Sequence, residues 1–410
     1  MQGDVRPRLS IFRAPMTRTF PGKRCLMRRQ TLLLILSGVI AGLILSGCGP
    51  KPIARESILD TPENHYNQGL RALDRGQLEQ AAQNFNRATA LNPNYPGGYV
   101  GMGLVLAEQK QFRQALESVD KGLGKDKNFV DGYIAKGRIL VKQRRGDNWL
   151  KDALKEYERA LKINPNSDAA MYHTGMAYKG AFEFRNAENA FSRVIEQKGD
   201  YAKPANAEWE LVQKIIRAAP GTKIGAQIAL IPQIDRADLA VLFIEELKLN
   251  EVMAQKQKKT YDTGFRAPDD PTAMQTTTRT QMATATDIGD HWAKNWIEDI
   301  LKLGVIDPFP DRTFRPNEKI TRANYAMFLQ NILLAVTGDD ALATRYIGTP
   351  SRFPDVNASH FAYNAICLAV DRGIMKAGTL DGAFGMADPV SGADALLIIR
   401  ELQNHLRMTF

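Results

Sequence analysis

Residues 69–93 read GLRALDRGQLEQAAQNFNRATALNP, and the spacing of small and large residues in this stretch returns along the chain. Glycines recur with a period of about 34 residues, at Gly69, Gly103, Gly137 and, after a short insertion, Gly175. Alanines recur with the same period, at Ala81, Ala115, Ala153 and Ala187, and the insertion falls before Ala153. A large side chain stands four positions after each alanine, at Phe85, Val119, Tyr157 and Phe191. Such periodicity predicts a stack of helical repeats.

The residue types explain how each repeat would fold. Small residues let two helices approach closely, large residues fill the gap beside them, and Pro93 and Pro165 stop the second helix of a unit. The pattern resembles the tetratricopeptide repeat (TPR), with four units over residues 62–201. This resemblance implies a mainly α fold, in which helix pairs stack into a solenoid with a concave face.

In the TPR family, the first helix of each pair lines the concave face. We therefore expect a protein-binding groove lined by Tyr66, Val100, Ile134, Arg138, Lys142, Tyr172 and Lys179. The groove would be acidic at its N-terminal end, apolar in the middle and basic at its C-terminal end, which suits a peptide or a partner helix of matching polarity. The alternative is a groove that is filled by a later segment of the chain or is simply solvated.

A second repeat occupies the C-terminal part of the chain. Residues 287–293 read DIGDHWA and residues 355–362 read DVNASHFA, and in both the histidine is followed by a glycine at the same interval. Further on, ITRAN at 320–324 matches VSGAD at 390–394, and an amphipathic helix pattern follows each. These elements resemble S-layer homology (SLH) modules, at residues 285–335 and 352–405.

SLH modules usually occur in threes, and residues 205–250 are a candidate for a degenerate first module, because IDRADLA at 234–240 resembles the later elements. The competing interpretation makes the first helix of this segment a cap on the TPR solenoid, and both can hold at once. Residues 251–284 lack periodicity and predict a linker. The fold class is therefore a TPR helical solenoid followed by an SLH-type helical domain.

The SLH resemblance implies binding of a cell-wall polymer, either a pyruvylated polysaccharide or peptidoglycan. The arginine of the Thr-Arg-Ala element belongs to the family's pocket, and Arg236 and Arg322 match it, whereas Gly392 does not. A guanidinium suits a carboxylate or ketal. Gly304 and Trp292 complete the predicted polymer-binding set. The alternatives are a core position for Trp292 and a local pairing role for Arg322.

The N-terminus predicts an export signal. A basic segment precedes the apolar run 31–45, and Leu-Ser-Gly-Cys follows at 45–48. This ending resembles the lipobox of bacterial lipoproteins, which implies a signal peptide over residues 1–47, acylation of Cys48 with chains such as palmitate, and a tether over 48–61. The segment before Met27 would be an over-long start, and the alternative is an uncleaved anchor helix. Because residue 49 is not Asp, we expect outer-membrane attachment in the cell envelope.

The charge narrows the function classes. The chain has a net charge of +9, but residues 1–47 hold eight basic residues and one acid and so account for seven of these charges. The nearly neutral remainder argues against a nucleic-acid partner. No catalytic motif, metal-ligand spacing or cofactor fingerprint occurs. We predict a non-enzymatic lipoprotein that binds wall polymer and recruits an envelope protein; the alternative is an assembly or export factor for an outer-membrane complex.

Overall fold

The structure, a computed structural model, describes residues 53–259 and 285–409. The predicted signal peptide, Cys48 and residues 260–284 of the predicted linker lie outside the described residues. Within these two ranges the fold consists of sixteen α-helices and one short 3-10 helix, without a β-strand. This confirms the predicted mainly helical fold class. No helix in the described ranges has both the length and the apolar character needed to cross a membrane.

The first eight helices form four antiparallel pairs. They are α1 (Pro62–Asp74), α2 (Leu78–Leu91), α3 (Pro96–Glu108), α4 (Phe112–Lys125), α5 (Val130–Gln143), α6 (Trp149–Ile163), α7 (Asp168–Gly180) and α8 (Phe184–Gln197). Each pair packs against the next, as expected for a solenoid. The inserted residues of the third unit lengthen the loop between α5 and α6, where Arg144 ends α5 in a left-handed conformation with φ of 46°.

The repeated glycines bring the two helices of a pair together. A Cβ atom at Gly69 would lie 2.4 Å from the ring of Phe85, and one at Gly175 would lie 2.6 Å from the ring of Phe191. The large side chains that follow the repeated alanines thus occupy the space that a side chain at the glycine would fill. All four repeated alanines are fully buried. The repeated spacing of glycine, alanine and large residues in the sequence therefore reflects the contacts between the two helices of each pair.

Helix α9 (Ala202–Ala218) joins the solenoid to the C-terminal part. One side of α9 packs on α8, and the other packs on the last helix of the chain, α16 (Gly392–Thr409). Lys214 of α9 forms a 3.0 Å ion pair with Asp394 of α16. Helix α9 therefore packs against both the solenoid and the C-terminal part.

The C-terminal part shares one large hydrophobic core. Its remaining helices are α10 (Lys223–Ala229), α11 (Arg236–Glu245), α12 (Leu249–Lys259), α13 (Lys294–Lys302), α14 (Arg322–Thr337), the 3-10 helix (Asp340–Ala343) and α15 (Tyr363–Asp371). Helix α12 begins before residue 251 and reaches Lys259, so the first residues of the predicted linker are helical.

Three equivalent helices, α11, α14 and α16, radiate from a common hub. The backbone N–H of Ile234 donates to the carbonyl of Val390 at 3.0 Å, that of Ile320 to Ile234 at 3.1 Å, and that of Val390 to Ile320 at 3.3 Å. This cycle closes on itself, and all three side chains are buried. Polar residues cap the helices that follow, with capping boxes at Asp235 and Thr321.

Candidate functional site

The concave face of the solenoid contains two adjoining cavities. One has a volume of about 200 Å³ and is lined by residues that include Tyr66, Asp131, Ile134 and Arg138. The other has a volume of about 490 Å³, and Arg138 and Lys142 contribute to its wall. Four residues predicted to line the groove therefore lie together at these cavities.

The charges of the groove differ from those expected. Lys142 pairs with Glu108, and Lys179 pairs with Glu208 at 2.5 Å, so these two lysines do not give the groove a basic end. Arg138 forms no ion pair or hydrogen bond with another described residue. A partner would therefore meet one guanidinium that has no direct ion pair and that shares its cavity with Tyr66 and Asp131.

Burial shifts the pKa values of two titratable side chains in the groove. Burial raises the pKa of Asp131, although the hydrogen bond from the Tyr66 hydroxyl, 3.0 Å long, and the charge of Arg138 oppose it. Burial, with a contribution from Arg138, lowers the pKa of His173 to about 3. His173 is therefore neutral at physiological pH, and its ring stacks on Tyr157.

Two other predicted groove residues have different positions. Val100 is fully buried and cannot line the groove, so its prediction is wrong. The reason is Gly122 on α4, which lets the two helices approach until a Cβ at Gly122 would lie 2.8 Å from Val100 Cγ2. Tyr172 is half-buried and contacts the rings of Phe191 and Tyr201.

Arg236 lies at the contact between α11 and the segment that follows α13. Its Nε donates to the carbonyl of Phe314 at 2.7 Å, and its Nη2 donates to the carbonyl of Asp307 at 3.1 Å. The guanidinium also lies over the rings of Phe309 and Phe314, and only 7% of the residue is exposed. We call this contact the first joint. Burial lowers the pKa of Arg236.

Arg322 makes the same contact one module later. Its Nε donates to the carbonyl of Phe384 at 2.9 Å, its Nη2 donates to the carbonyl of Lys376 at 2.6 Å, and the guanidinium lies over the Phe384 ring. We call this contact the second joint. Unlike Arg236, Arg322 is only half-buried, and it therefore remains reachable from solvent.

The third joint is built differently, where α16 returns to the segment around α10. A Cβ at Gly392 would lie 1.7 Å from the carbonyl oxygen of Ile228, so only glycine fits there. Arg400, two turns further along α16, instead donates to the carbonyls of Ala218 and Ala219, each at 2.7 Å. The missing arginine at position 392 is thus replaced from elsewhere on the same helix.

Glu246 completes the third joint. Glu246 is 4% exposed, and its carboxylate pairs with Arg400 at 2.8 Å and accepts the backbone N–H groups of Gly221 and Thr222, each at 2.9 Å. Neither Arg400 nor Glu246 was predicted from the sequence, because neither occupies a repeated position. A single acid directly after the end of α11 gives no sequence pattern from which its burial or its pairing with Arg400 could be predicted.

Trp292 and Gly304 lie outside these arginine contacts. Trp292 is 54% exposed, and its ring contacts within the described residues are with His291 and Trp296. The alternative of a core position for Trp292 is therefore wrong. Gly304 ends α13 with φ of 64°, a left-handed conformation that favours glycine.

The aspartates that open the two SLH-like units hold the turn that follows each first helix. Asp287 accepts the backbone N–H groups of Phe314 and Arg315, each at 2.7 Å. Asp355 accepts those of Phe384 and Gly385 at the same distance. Burial raises the pKa of Asp355, but the backbone donors outweigh it, and the net shift is downward. These acids are structural anchors.

Comparison with known proteins agrees with this division. The S-layer homology domain family matches residues 286–326 and 352–396, and the TPR repeat family matches residues 69–110. The chain combines TPR repeats with SLH domains. These matches suggest protein–protein interaction for the TPR part and cell-wall anchoring for the SLH part. The matched families are binding or scaffold domains, and no catalytic family is among them.

Individual proteins share parts of the chain. "Cell surface glycoprotein 1" of Acetivibrio thermocellus is 34% identical over 76 residues, which are 18% of this chain and 3% of that protein. A thermophilic TPR protein from Thermus thermophilus is 19% identical, with 48% of this chain and 89% of that one covered and a TM-score of 0.30. A TPR protein from Parabacteroides merdae is also 19% identical, covering 48% and 78%, with a TM-score of 0.28.

Proposed function

We propose that this protein is a non-enzymatic lipoprotein that links layers of the cell envelope. Lipid on Cys48 holds one end at a membrane, the SLH domains bind wall polymer, and the TPR groove recruits an envelope protein. Several weak contacts on one chain reinforce one another, because each raises the effective concentration of the next.

The observation that carries the wall-binding proposal is the exposure of Trp292 on a rigid SLH core. Trp292 is 54% exposed and His291 packs beside its ring, so the indole presents an accessible aromatic face to a ligand. An aromatic face of this kind suits the apolar face of a sugar. Residues 205–250 contribute α11 to the hub and serve in this proposal as the first SLH module.

Binding to purified wall sacculi tests this proposal. The variant Trp292→Ala should lose about fivefold or more in affinity, as truncation of a central tryptophan does in other interfaces. Ile347→Ala is the matched control, since Ile347 is an apolar residue of the SLH part that is 66% exposed and lies outside the segments that Arg236 and Arg322 contact. Equal binding of both variants and the unchanged protein would refute the proposed role of Trp292. Repeating the assay after removal of pyruvyl groups distinguishes pyruvylated polysaccharide from peptidoglycan.

The groove supports the recruiting role. Arg138 lines both cavities and forms no ion pair or hydrogen bond with a described residue, so its guanidinium can pair with an acidic peptide group. Asp131 of the same cavity acts on Arg138 through longer-range charge alone. We expect Arg138→Glu to abolish capture of envelope proteins by the immobilised chain while sacculus binding persists. Capture that survives this substitution would count against the groove and in favour of another surface.

A further inference from the structure

We propose that Ile58 and Leu59 insert into the membrane surface and form a second attachment beside the lipid. Both side chains point into solvent, with 93% of Ile58 and 74% of Leu59 exposed. Adjacent large apolar residues at such exposure are unusual on a soluble surface. The inference rests on the proposed acylation of Cys48.

The turn that carries these residues is firmly held. The Asp60 carboxylate accepts the backbone N–H of Glu56 at 2.8 Å and the Nε of Arg87 at 3.1 Å, and it also pairs with His65. The Asp60 side chain is itself buried. The pKa of Asp60 lies well below its usual range, first because of its hydrogen bond from Arg87.

Backbone contacts fix the same turn. The N–H of Asp60 donates to Ser57, and that of Thr61 donates to Leu59. The amide side chain of Asn64 donates to the Leu59 carbonyl at 2.7 Å. Ile58 and Leu59 are thus carried by a structured loop. The conformational entropy of this loop is already low before the loop contacts a surface.

The distance to the lipid identifies the surface. Ile58 follows Cys48 by ten positions. Ten fully extended residues span at most about 35 Å, so the turn stays within about 35 Å of the membrane that holds the lipid and can reach its surface. Arg55, also exposed, lies three positions before Ile58, and the charge of the neighbouring Glu56 is paired with Arg87 at 2.9 Å, which leaves Arg55 to attract an anionic lipid surface. The occupant of this apolar surface is therefore a bilayer interface.

The test uses the full chain, expressed with its leader, confirmed as acylated by mass spectrometry and placed in vesicles of phosphatidylethanolamine and phosphatidylglycerol. Ser57→Cys carries an environment-sensitive NBD probe and leaves Ile58 and Leu59 intact. Labelling is selective, because Cys25 is lost with the cleaved signal peptide, Cys367 is fully buried and the Cys48 thiol is acylated. Leu380→Cys supplies a control probe on the SLH part.

We expect the probe at position 57 to brighten at least about twofold on vesicles and to be quenched by spin-labelled lipid, because interfacial residues sit about 5–10 Å deep. The control probe should not change. Adding Ile58→Ser and Leu59→Ser should remove the position-57 signal while the protein still pellets with vesicles. A vesicle-bound protein with an unchanged probe, or a signal insensitive to the serine pair, would overturn the inference alone. Absence of lipid in the mass spectrum of the chain expressed with its leader would refute the proposed acylation and, with it, the inference that rests on it.

Discussion

Arg236 and Arg322 occupy equivalent positions in the sequence, yet their surroundings give them different roles. Both donate to two backbone carbonyls of the following module. Arg236 is buried, whereas Arg322 is half-buried. A buried guanidinium with two carbonyl partners and aromatic faces holds a joint together, and of the two arginines only Arg322 keeps a partly solvent-accessible side chain.

The different burial of the two arginines predicts different effects of their substitution on stability and on sacculus binding. Arg236→Ala and Arg322→Ala should each lower the thermal midpoint, since each removes two charged hydrogen bonds worth about 1.5–3 kcal/mol apiece before compensation. Only Arg322→Ala should weaken sacculus binding when both are measured below their transitions. Unchanged binding of the Arg322 variant would restrict that residue to the second joint.

His173 predicts a pH dependence of stability. Its folded pKa of about 3 lies below the ordinary value of 6.5, so the unfolded chain binds a proton that the folded chain does not. The stability that neutral His173 contributes is complete above pH 6.5 and falls as pH drops towards 3, at up to about 1.4 kcal/mol per pH unit. His173→Phe should flatten the thermal midpoint between about pH 6.5 and 4.5. An equally steep profile in the variant would assign the dependence to other groups.

At the scale of helix pairs, glycine is required only where two helices touch. Gly69→Ala places a methyl group 2.4 Å from the Phe85 ring and should destabilise the first pair by about 1–3 kcal/mol. Gly124→Ala is the matched control, because its Cβ would meet nothing within 4 Å in helix α4. That change should stabilise the helix by about 0.5–1 kcal/mol. Denaturation followed by circular dichroism compares the two, and destabilisation by both would contradict the contact argument.

At the scale of the whole molecule, α9 and the third joint couple the solenoid to the SLH part. Arg400→Ala leaves Glu246 buried without its cation, which costs about 3–5 kcal/mol in comparable sites. Because Arg400 also binds the end of α9, the loss should lower the unfolding temperature of both repeat systems. Calorimetry checks this, with Arg345→Ala as an exposed control. A lower unfolding temperature of the SLH part alone would show that α9 does not transmit the destabilisation to the solenoid.

The sequence determined the repeated parts of this protein. The repeat period, the glycine and alanine positions, and the ITRAN element identified both repeat types. The glycine contacts recur in every TPR unit, and the arginine contact of ITRAN recurs at two of the three joints. A contact that occurs only once in the structure produces no repeated pattern in the sequence. Val100 was misplaced because Gly122 on a neighbouring helix decides its burial.

Only the tertiary structure decided which arginine is buried, how the third joint closes and where charge is cancelled. Arg400 and Ala218 are 182 positions apart, and Lys142 and Glu108 are 34 apart, so their pairing depends on the folded path of the chain. The physical reason is that local residue patterns specify helices and their neighbours, whereas desolvation and ion pairing depend on everything that packs around a group.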